Sequence, residues 1–180
     1  MDILVTGGAG FIGGHLAESF VQAGHTVTVL DNLDPFYDIG IKERNIEAAR
    51  ARAEEASGTY EFVEGSVTDE AVVSELVADV DFVFHQAAQA GVRISVDNPE
   101  KAHRINVDGT VNILEAARKE GITRLVNASS SSVYGIPQYL PYDEEHPTTP
   151  VSPYGTSKRA AEHYVRVYNE VYDLPTVSLR

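Results

Sequence analysis

The N-terminal segment constrains the fold more than any other part of the chain. A short apolar run at 3–5 precedes a cluster of glycines, and Ile12, Leu16 and Phe20 then recur at the four-residue spacing of a helix with one buried face. A second apolar run ends at Asp31. Because a strand, a glycine-rich turn, a helix and another strand follow one another here, the sequence predicts the first βαβ unit of an α/β sheet.

The glycine-rich turn predicts a dinucleotide site. Gly7, Gly8, Gly10 and Gly13 satisfy both G-x-x-G-x-x-G and G-x-G-x-x-G. Glycines let the backbone turn sharply and approach a pyrophosphate, which free N–H groups at the helix N-terminus then bind. Asp31 lies 21 positions after Gly10, where a carboxylate accepts hydrogen bonds from the adenosine ribose and repels a 2′-phosphate. This context favours NAD over NADP, and a nucleotide site over a plain glycine-rich surface turn.

Strands and helices alternate through the rest of the chain. We predict strands at 60–65, 80–88, 124–132 and 175–180, and helices at 69–77, 99–120 and 154–172. The segment 34–58 is interpreted as an ordered loop and an exposed helix, and 137–153, with its five prolines, as a loop. Six strands separated by helices predict one α/β domain over 1–180, a Rossmann-type doubly wound parallel sheet with helices on both faces.

Charge and composition exclude several functional classes. The 27 acidic against 14 basic residues give a net charge of −13, which would repel nucleic acid. The chain has no cysteine, which excludes thiolate ligands and cysteine nucleophiles, and we expect no metal site. No apolar run is long enough to cross a membrane, and the strand at 3–5 leaves no room for a signal peptide, so we expect a cytoplasmic protein. The acidity fits either a halophilic protein or an ordinary acidic surface.

A second candidate site lies in the segment SPYGTSK at 152–158. Tyr154 and Lys158 are four residues apart on a predicted helix and therefore share a face. A nearby ammonium lowers the pKa of a phenol from its usual value of about 10, which favours a tyrosine base. The serine-rich segment 127–135 supplies hydroxyl groups at the end of the fifth strand. The alternative, a surface lysine packed over a tyrosine, is less favoured downstream of a nucleotide-binding turn.

Together, the motifs TGGAGFIG, DN at 31–32, HQAA at 85–88, SSSSVYG and SPYGTSK resemble the extended short-chain dehydrogenase/reductase family. Within this family the chain is most similar to NAD-dependent UDP-glucose and UDP-glucuronate 4-epimerases, which are isomerases. The resemblance implies that Tyr154 takes the proton from the sugar 4-hydroxyl, that Lys158 lowers its pKa and contacts the nicotinamide ribose, and that Ser130 is the catalytic serine. It also implies that hydride passes from sugar C4 to NAD and returns to the other face of the 4-keto sugar.

The resemblance further implies which residues contact the cofactor and the substrate. The cofactor contacts would be Gly7, Gly10, Phe11, Ile12, Gly13, Asp31, Asn32, Ser66, Val67, Ala87, Ala88, Gln89, Asn106, Ser129, Tyr154 and Lys158. The substrate contacts would be Ser130, Ser131 and Arg93, although Arg93 fits a surface ion pair equally well. Family members often have an aspartate in place of Ser66, so we expect weaker recognition of the adenine amino group. We interpret His85 as structural.

Two other functions remain as alternatives. Sugar 4,6-dehydratases carry an Asp-Glu pair where this chain has Ser131 and Ser132, and the related decarboxylases usually keep the glutamate. The alternatives are therefore another NAD-dependent nucleotide-sugar dehydratase or decarboxylase, and a non-catalytic NAD-binding module. Retention of Tyr154 and Lys158 favours an enzyme over such a module.

The resemblance also concerns size and assembly. Family members continue into a C-terminal substrate domain, which we expect to be absent from this chain. We therefore expect the chain alone to bind NAD but to be weakly active or inactive on a UDP-sugar. They often form homodimers through two helices, here those near 99–120 and 154–172. Val165, Tyr168 and Tyr172 fit either this interface or the core.

Overall fold

A six-stranded parallel sheet forms the centre of the computed structural model, which describes all residues 1–180. Its strands are β1 (Asp2–Thr6), β2 (Thr26–Asp31), β3 (Thr59–Glu64), β4 (Phe82–His85), β5 (Arg124–Ala128) and β6 (Thr176–Leu179). They lie in the order β3-β2-β1-β4-β5-β6, and every neighbouring pair is parallel. The strand order reverses between β1 and β4, which confirms the predicted doubly wound fold.

Seven α-helices connect and cover the strands. They are α1 (Phe11–Gln22), α2 (Ile39–Glu55), α3 (Glu70–Val77), α4 (Val92–Asp97), α5 (Pro99–His103), α6 (Gly109–Glu120) and α7 (Pro153–Tyr172). None of them combines the length and the apolar character that a membrane span requires. A π-helical segment, Arg104–Asp108, lies between α5 and α6, and a short 3₁₀ turn, Ser131–Val133, follows β5.

The sheet separates two apolar cores because successive side chains of a strand point to opposite faces. On one face, Ile3 and Val5 of β1 pack with Ala17 and Val21 of α1. On the other face, Leu4 belongs to a larger cluster that includes residues of α3, α6 and α7. Helices therefore cover both faces of the sheet, as predicted.

The buried face of α1 differs from the one that the apolar spacing predicts. Ile12 is 60% exposed and Leu16 and Phe20 are only half-buried, whereas Gly13, Gly14, Ala17 and Val21 are buried. The prediction was wrong because α1 approaches the glycine loop closely at its first turn, where Gly13 leaves no room for a side chain, and packs Ala17 and Val21 against the sheet. A Cβ atom on Gly13 would overlap the carbonyl oxygen of Gly7.

Three predicted boundaries also change in ways that affect the site. The helix expected at 99–120 is not continuous, because the π-helical segment interrupts it. The strands expected at 80–88 and 124–132 end at His85 and Ala128. Beyond these two residues the chain leaves the sheet and forms the loops at its carboxyl edge.

Candidate active site

A cleft of about 330 Å³ opens at the carboxyl edge of the sheet, beside the point where the strand order reverses. Open α/β sheets bind ligands at this position. Most of the predicted site residues line the cleft, namely Gly7, Gly10, Phe11, Ile12, Gly13, Asp31, Asn32, Ser66, Val67, Ala87, Ala88, Gln89, Ser129, Tyr154 and Lys158. Asn106, Ser130, Ser131 and Arg93 are not among the lining residues.

The glycine-rich loop gives the cleft a wall that can bind an anion. Gly7 has a φ of +68° and donates its N–H to the carbonyl of Leu30 at 2.7 Å, which ties the turn to the end of β2. Gly10 begins α1 without a side-chain cap, so the first N–H groups of the helix have no side-chain acceptor. Free N–H groups and the helix dipole together favour a phosphate at this end of the cleft.

At the end of β2, a buried ion pair occupies the position where a ribose carboxylate was predicted. Asp31 Oδ1 accepts hydrogen bonds from Lys42 Nζ at 2.9 Å and from the Leu33 N–H at 2.9 Å. Its Oδ2 accepts from the Ala9 N–H at 3.2 Å. Lys42 also lines the cleft. The carboxylate is thereby fixed between the glycine loop and α2.

Lys42 is a site residue that the sequence analysis missed, because α2 was interpreted as an exposed helix. The structure corrects that interpretation, since Lys42, Ile46 and Ala49 are buried. Their spacing of four and three residues marks one face of a helix. That spacing was the available signal, but the many charged residues of α2 obscured it.

Ser66 was expected to contact the adenine amino group of the cofactor. It lines the cleft, but its Oγ pairs with Thr68 Oγ1 at 2.8 Å and accepts the Thr68 N–H at 3.2 Å. The hydroxyl therefore stabilises its own turn.

Tyr154 and Lys158 lie on the first turns of α7. Asp31 is at the end of β2, whereas Lys158 contacts the end of β5, so the two residues line opposite ends of the cleft. Ser152 caps this helix by accepting the Gly155 N–H at 3.0 Å, and the Tyr154 N–H donates to Ser95 Oγ of α4 at 3.0 Å. Lys158 is 4% exposed, and its Nζ donates to the carbonyl of Ala128 at 2.8 Å. Burial lowers the pKa of Lys158 to about 8. The pair therefore places a phenol and a buried amine in one cleft.

The serine loop after β5 contributes one residue to the cleft. Ser129 lines it and donates to Glu162 Oε1 at 2.5 Å. Ser130 instead accepts the N–H of Ser132 at 3.1 Å and caps the 3₁₀ turn. Ser131 is exposed and lines a separate pocket of about 760 Å³ on the β6 side. The two predicted substrate serines thus lie outside the cleft.

Glu162 is another residue that the sequence analysis did not identify. Its carboxylate accepts hydrogen bonds from Arg180 at 2.9 and 3.0 Å and from Arg159 at 2.6 Å, in addition to the one from Ser129. Burial raises the pKa of Glu162, but these hydrogen bonds outweigh burial and hold it below the usual value. The network links the serine loop to α7 and to the end of β6.

Asn106 lies behind the cleft wall. Its Oδ1 accepts the Gln89 N–H at 2.7 Å, and its Nδ2 donates to the Gln89 carbonyl at 3.2 Å and to Ser157 Oγ at 2.9 Å. Asn106 therefore positions Gln89, which lines the cleft, against α7. It lies in the π-helical segment, and such segments often occur at functional sites.

Arg93 and His85 have contrasting environments. Arg93 is exposed on the short helix α4. His85 is buried at the end of β4, where Nδ1 lies 2.7 Å from Thr6 Oγ1 and Nε2 lies 3.0 Å from Thr110 Oγ1. Burial lowers the pKa of His85 to about 3, so the ring is neutral. This environment fits the structural role expected for His85.

Comparison with known proteins places the chain in a family. Residues 4–180 match the family described as GDP-mannose 4,6 dehydratase. The chain is 40% identical over 177 residues to a UDP-glucose 4-epimerase of Mycolicibacterium smegmatis, which covers 97% of this chain and 53% of that protein. It is 39% identical over 183 residues to UDP-glucuronate 4-epimerase 3 of Arabidopsis thaliana, covering 99% of this chain and 41% of that protein. The chain spans about half the length of the curated relatives it matches.

Solved structures of epimerases and of a dehydratase also superpose on this chain. UDP-glucose 4-epimerase of Thermus thermophilus in complex with NAD superposes with a TM-score of 0.85 at 38% identity, covering 100% of this chain and 54% of that one. UDP-glucuronic acid 4-epimerase of Bacillus cereus with UDP-glucuronic acid and NAD gives 0.89 at 32%, covering 100% and 56%. DesIV of Streptomyces venezuelae, a dTDP-glucose 4,6-dehydratase with NAD, gives 0.84 at 31%, covering 99% and 54%. The chain therefore belongs to the NAD-dependent epimerase/dehydratase family of extended short-chain dehydrogenases/reductases.

Proposed function

We propose that the chain is the NAD-binding half of a nucleotide-sugar 4-epimerase that acts on UDP-glucose or UDP-glucuronate. One observation carries this proposal: Tyr154 and Lys158 line the same cleft as the glycine-rich loop and Asp31. This arrangement supports an acid/base pair next to a dinucleotide site. The similarity to UDP-glucose and UDP-glucuronate 4-epimerases supports the choice of UDP-sugars.

The residues of the cleft fit a dinucleotide. The first N–H groups of α1 would hold the diphosphate, and Asp31 would accept hydrogen bonds from the adenosine ribose. A buried hydroxyl oxygen in the cleft, Tyr37 Oη, has no partner in the protein. When bound, NAD+ supplies the acceptor for hydride from sugar C4 and the donor that returns it.

The chain's own residues supply the proton chemistry. The phenol of Tyr154 would take the proton of the sugar 4-hydroxyl and later return it. The ammonium of Lys158 favours the phenolate through its charge, and its hydrogen bond to the Ala128 carbonyl fixes it in the wall. Ser130 lies two residues after β5, and its Oγ accepts the Ser132 N–H, so its proton would remain to donate to the sugar oxygen. This chain spans only about half the length of its relatives. We propose that most contacts to the UDP-sugar are made by a segment that corresponds to the other half, so that the chain alone has little or no turnover.

The similarity to the dehydratase DesIV suggests dehydration as a second candidate reaction. Removal of water across sugar C5 and C6 requires a further acid and base, which the family's dehydratases supply as an Asp-Glu pair. This chain has Ser131 and Ser132 at those positions, and serine hydroxyls cannot supply that acid/base chemistry at neutral pH. The epimerase therefore remains the preferred function.

The test uses the longest reading frame that contains this chain. We expect incubation with UDP-glucose or, separately, UDP-glucuronate, without added reductant, to yield the 4-epimer of one of them. The sugar anomeric protons report the product by NMR. Loss of water or CO₂ instead would identify a dehydratase or a decarboxylase. An unchanged sugar in the presence of bound NAD would contradict the epimerase proposal.

We also propose a homodimer through the helices near 99–120 and 154–172. Val165 and Tyr168 are buried within the chain, whereas Val167 and Val171 of α7 are 40% and 63% exposed. These two valines form an apolar stripe on the outer face of α7 that a second copy would cover.

We expect Val171→Asp in the same full-length protein to shift a dimer toward monomer, because it places a charge in the stripe. Sedimentation velocity across a range of concentrations measures the shift. Val151→Asp, in a loop where Val151 is 71% exposed, is the matched control and should leave the dimer intact. A wild-type protein that stays monomeric at every concentration, or a dimer unaffected by Val171→Asp, would reject this interface.

A further inference from the structure

Lys42 is unusual among the lysines of this acidic chain. The chain has only four lysines, and the two that are buried, Lys42 and Lys158, both line the cleft. Burying an ammonium is unfavourable unless a partner compensates, and Asp31 is the partner of Lys42 at 2.9 Å. One of the three N–H groups of Lys42 donates to Asp31. The others remain for a ligand in the cleft.

Asp31 itself is more constrained than a free carboxylate. Three protein donors, from Ala9, Leu33 and Lys42, already point at its two oxygens. A carboxylate with a lysine 2.9 Å away presents far less net negative charge to the cleft than a carboxylate alone. Asp31 therefore repels a 2′-phosphate less strongly than an unpaired carboxylate would.

Tyr37 provides an independent observation at the same end of the cleft. Its Oη is buried, has no hydrogen-bond partner in the protein, and would lie 3.5 Å from a Cβ built on Gly10. Lys42 Nζ lies 5.8 Å from the centroid of the Tyr37 ring. A buried hydroxyl without a hydrogen-bond partner costs free energy, and a ligand in the cleft that hydrogen-bonds to it removes that cost.

We propose that Lys42 and Tyr37 complete the adenosine-ribose site, with Lys42 setting how strongly the protein discriminates NAD from NADP and Tyr37 donating a hydrogen bond to the cofactor. This inference rests on the proposed NAD-binding function. Asp31 disfavours a 2′-phosphate and Lys42 favours it, so the preference depends on the balance of two opposite charges rather than on the acid alone.

The charge balance is tested by titrating the chain with NAD+ and with NADP+ in a calorimeter. We expect Lys42→Met to raise the ratio of the dissociation constants, NADP+ over NAD+, by about tenfold or more, because Asp31 then acts unopposed. Lys42→Arg, which keeps the charge, should stay near the wild-type ratio. Asp31→Asn should lower the ratio, since Lys42 alone then faces the 2′-phosphate. An unchanged ratio in a folded Lys42→Met variant would overturn this assignment.

A second comparison covers the case in which Lys42→Met leaves Asp31 buried without a partner and prevents folding. The double variant Asp31→Asn/Lys42→Met removes both charges. Relative to Asp31→Asn alone, it should bind NADP+ about tenfold more weakly, because only the lysine differs. Equal affinities in the two variants would refute the role of Lys42. Failure of the wild-type chain to bind either dinucleotide would overturn the proposed function itself, which separates the two failures.

The hydroxyl of Tyr37 is tested by Tyr37→Phe. We expect NAD+ affinity to fall roughly two- to tenfold, with no drop in the melting temperature of the free chain, because the hydroxyl makes no hydrogen bond there. Tyr60→Phe is the matched control, since Tyr60 Oη is also buried without a partner but lies outside the cleft. Tyr60→Phe should leave NAD+ affinity unchanged. Wild-type affinity in Tyr37→Phe would exclude the proposed hydrogen bond.

Discussion

Replacing Tyr154 with phenylalanine in the full-length protein should lower kcat for 4-epimerisation by about 10²- to 10⁴-fold, the usual contribution of a general acid/base. The substitution removes only the hydroxyl that, in the proposed mechanism, exchanges the proton of the sugar 4-hydroxyl. The ring and the α7 backbone remain, including the N–H of residue 154 that donates to Ser95. We therefore expect the dissociation constant for NAD+ to stay within about twofold. Steady-state NMR assays and calorimetric titration measure the two quantities.

Tyr60→Phe is the control for this experiment, because it deletes a buried hydroxyl outside the cleft. Its turnover should equal that of the wild type. If Tyr154→Phe retained full turnover, the base would have to be another group, and the proposed mechanism would be wrong. If both variants and the wild type bound NAD+ without any turnover, a non-catalytic NAD-binding module would become the better interpretation.

Replacing Lys158 with methionine should change both catalysis and the pH dependence of stability. Burial lowers the pKa of Lys158 to about 8 in the folded chain, below the ordinary value of 10.5 that applies to the unfolded chain. Between these two values the unfolded state binds more protons, so the free energy of unfolding rises with pH. We expect the wild type, relative to Lys158→Met, to gain up to about 3 kcal/mol between pH 8 and pH 10.5.

Urea denaturation of the 180-residue chain at several pH values measures this gain. Lys119→Met, which removes an exposed lysine of α6, is the control and should follow the wild-type pH dependence. In the full-length protein, Lys158→Met should also lower kcat, because the Tyr154 phenolate loses its neighbouring charge. A parallel pH dependence in wild type and Lys158→Met would show that Lys158 titrates normally, which would contradict its buried environment.

Several features of the site could be predicted because they depend on local patterns. The glycine spacing, the carboxylate at the end of the second strand and the four-residue spacing of Tyr154 and Lys158 are each encoded within a single βα unit or helix turn. Parallel strands then bring their carboxyl ends to one edge of the sheet, so these motifs meet without further information. The family resemblance rests on the same motifs.

Other features could not be predicted because a run of repeated or charged residues does not show which of its side chains face the cleft or the core. Four successive serines follow β5, and only the path of the chain decides that Ser129 lines the cleft while Ser130 caps a turn. In α1, the spacing of Ile12, Leu16 and Phe20 describes a helix correctly but not which face is buried. Where α1 packs closely against the glycine loop, small residues are buried in place of larger apolar ones.

By itself, the sequence determined the α/β class, the glycine-rich loop and the tyrosine–lysine pair on one helix face, because periodicity and turn chemistry are properties of neighbouring residues. Only the tertiary structure decided that Lys42 neutralises Asp31, that Asn106 positions Gln89 behind the cleft, and that Glu162 connects the serine loop to Arg180. These contacts join segments from different connections of the sheet. Whether two such side chains meet depends on strand order and helix packing, and these arise from burial of the whole chain rather than from any one segment.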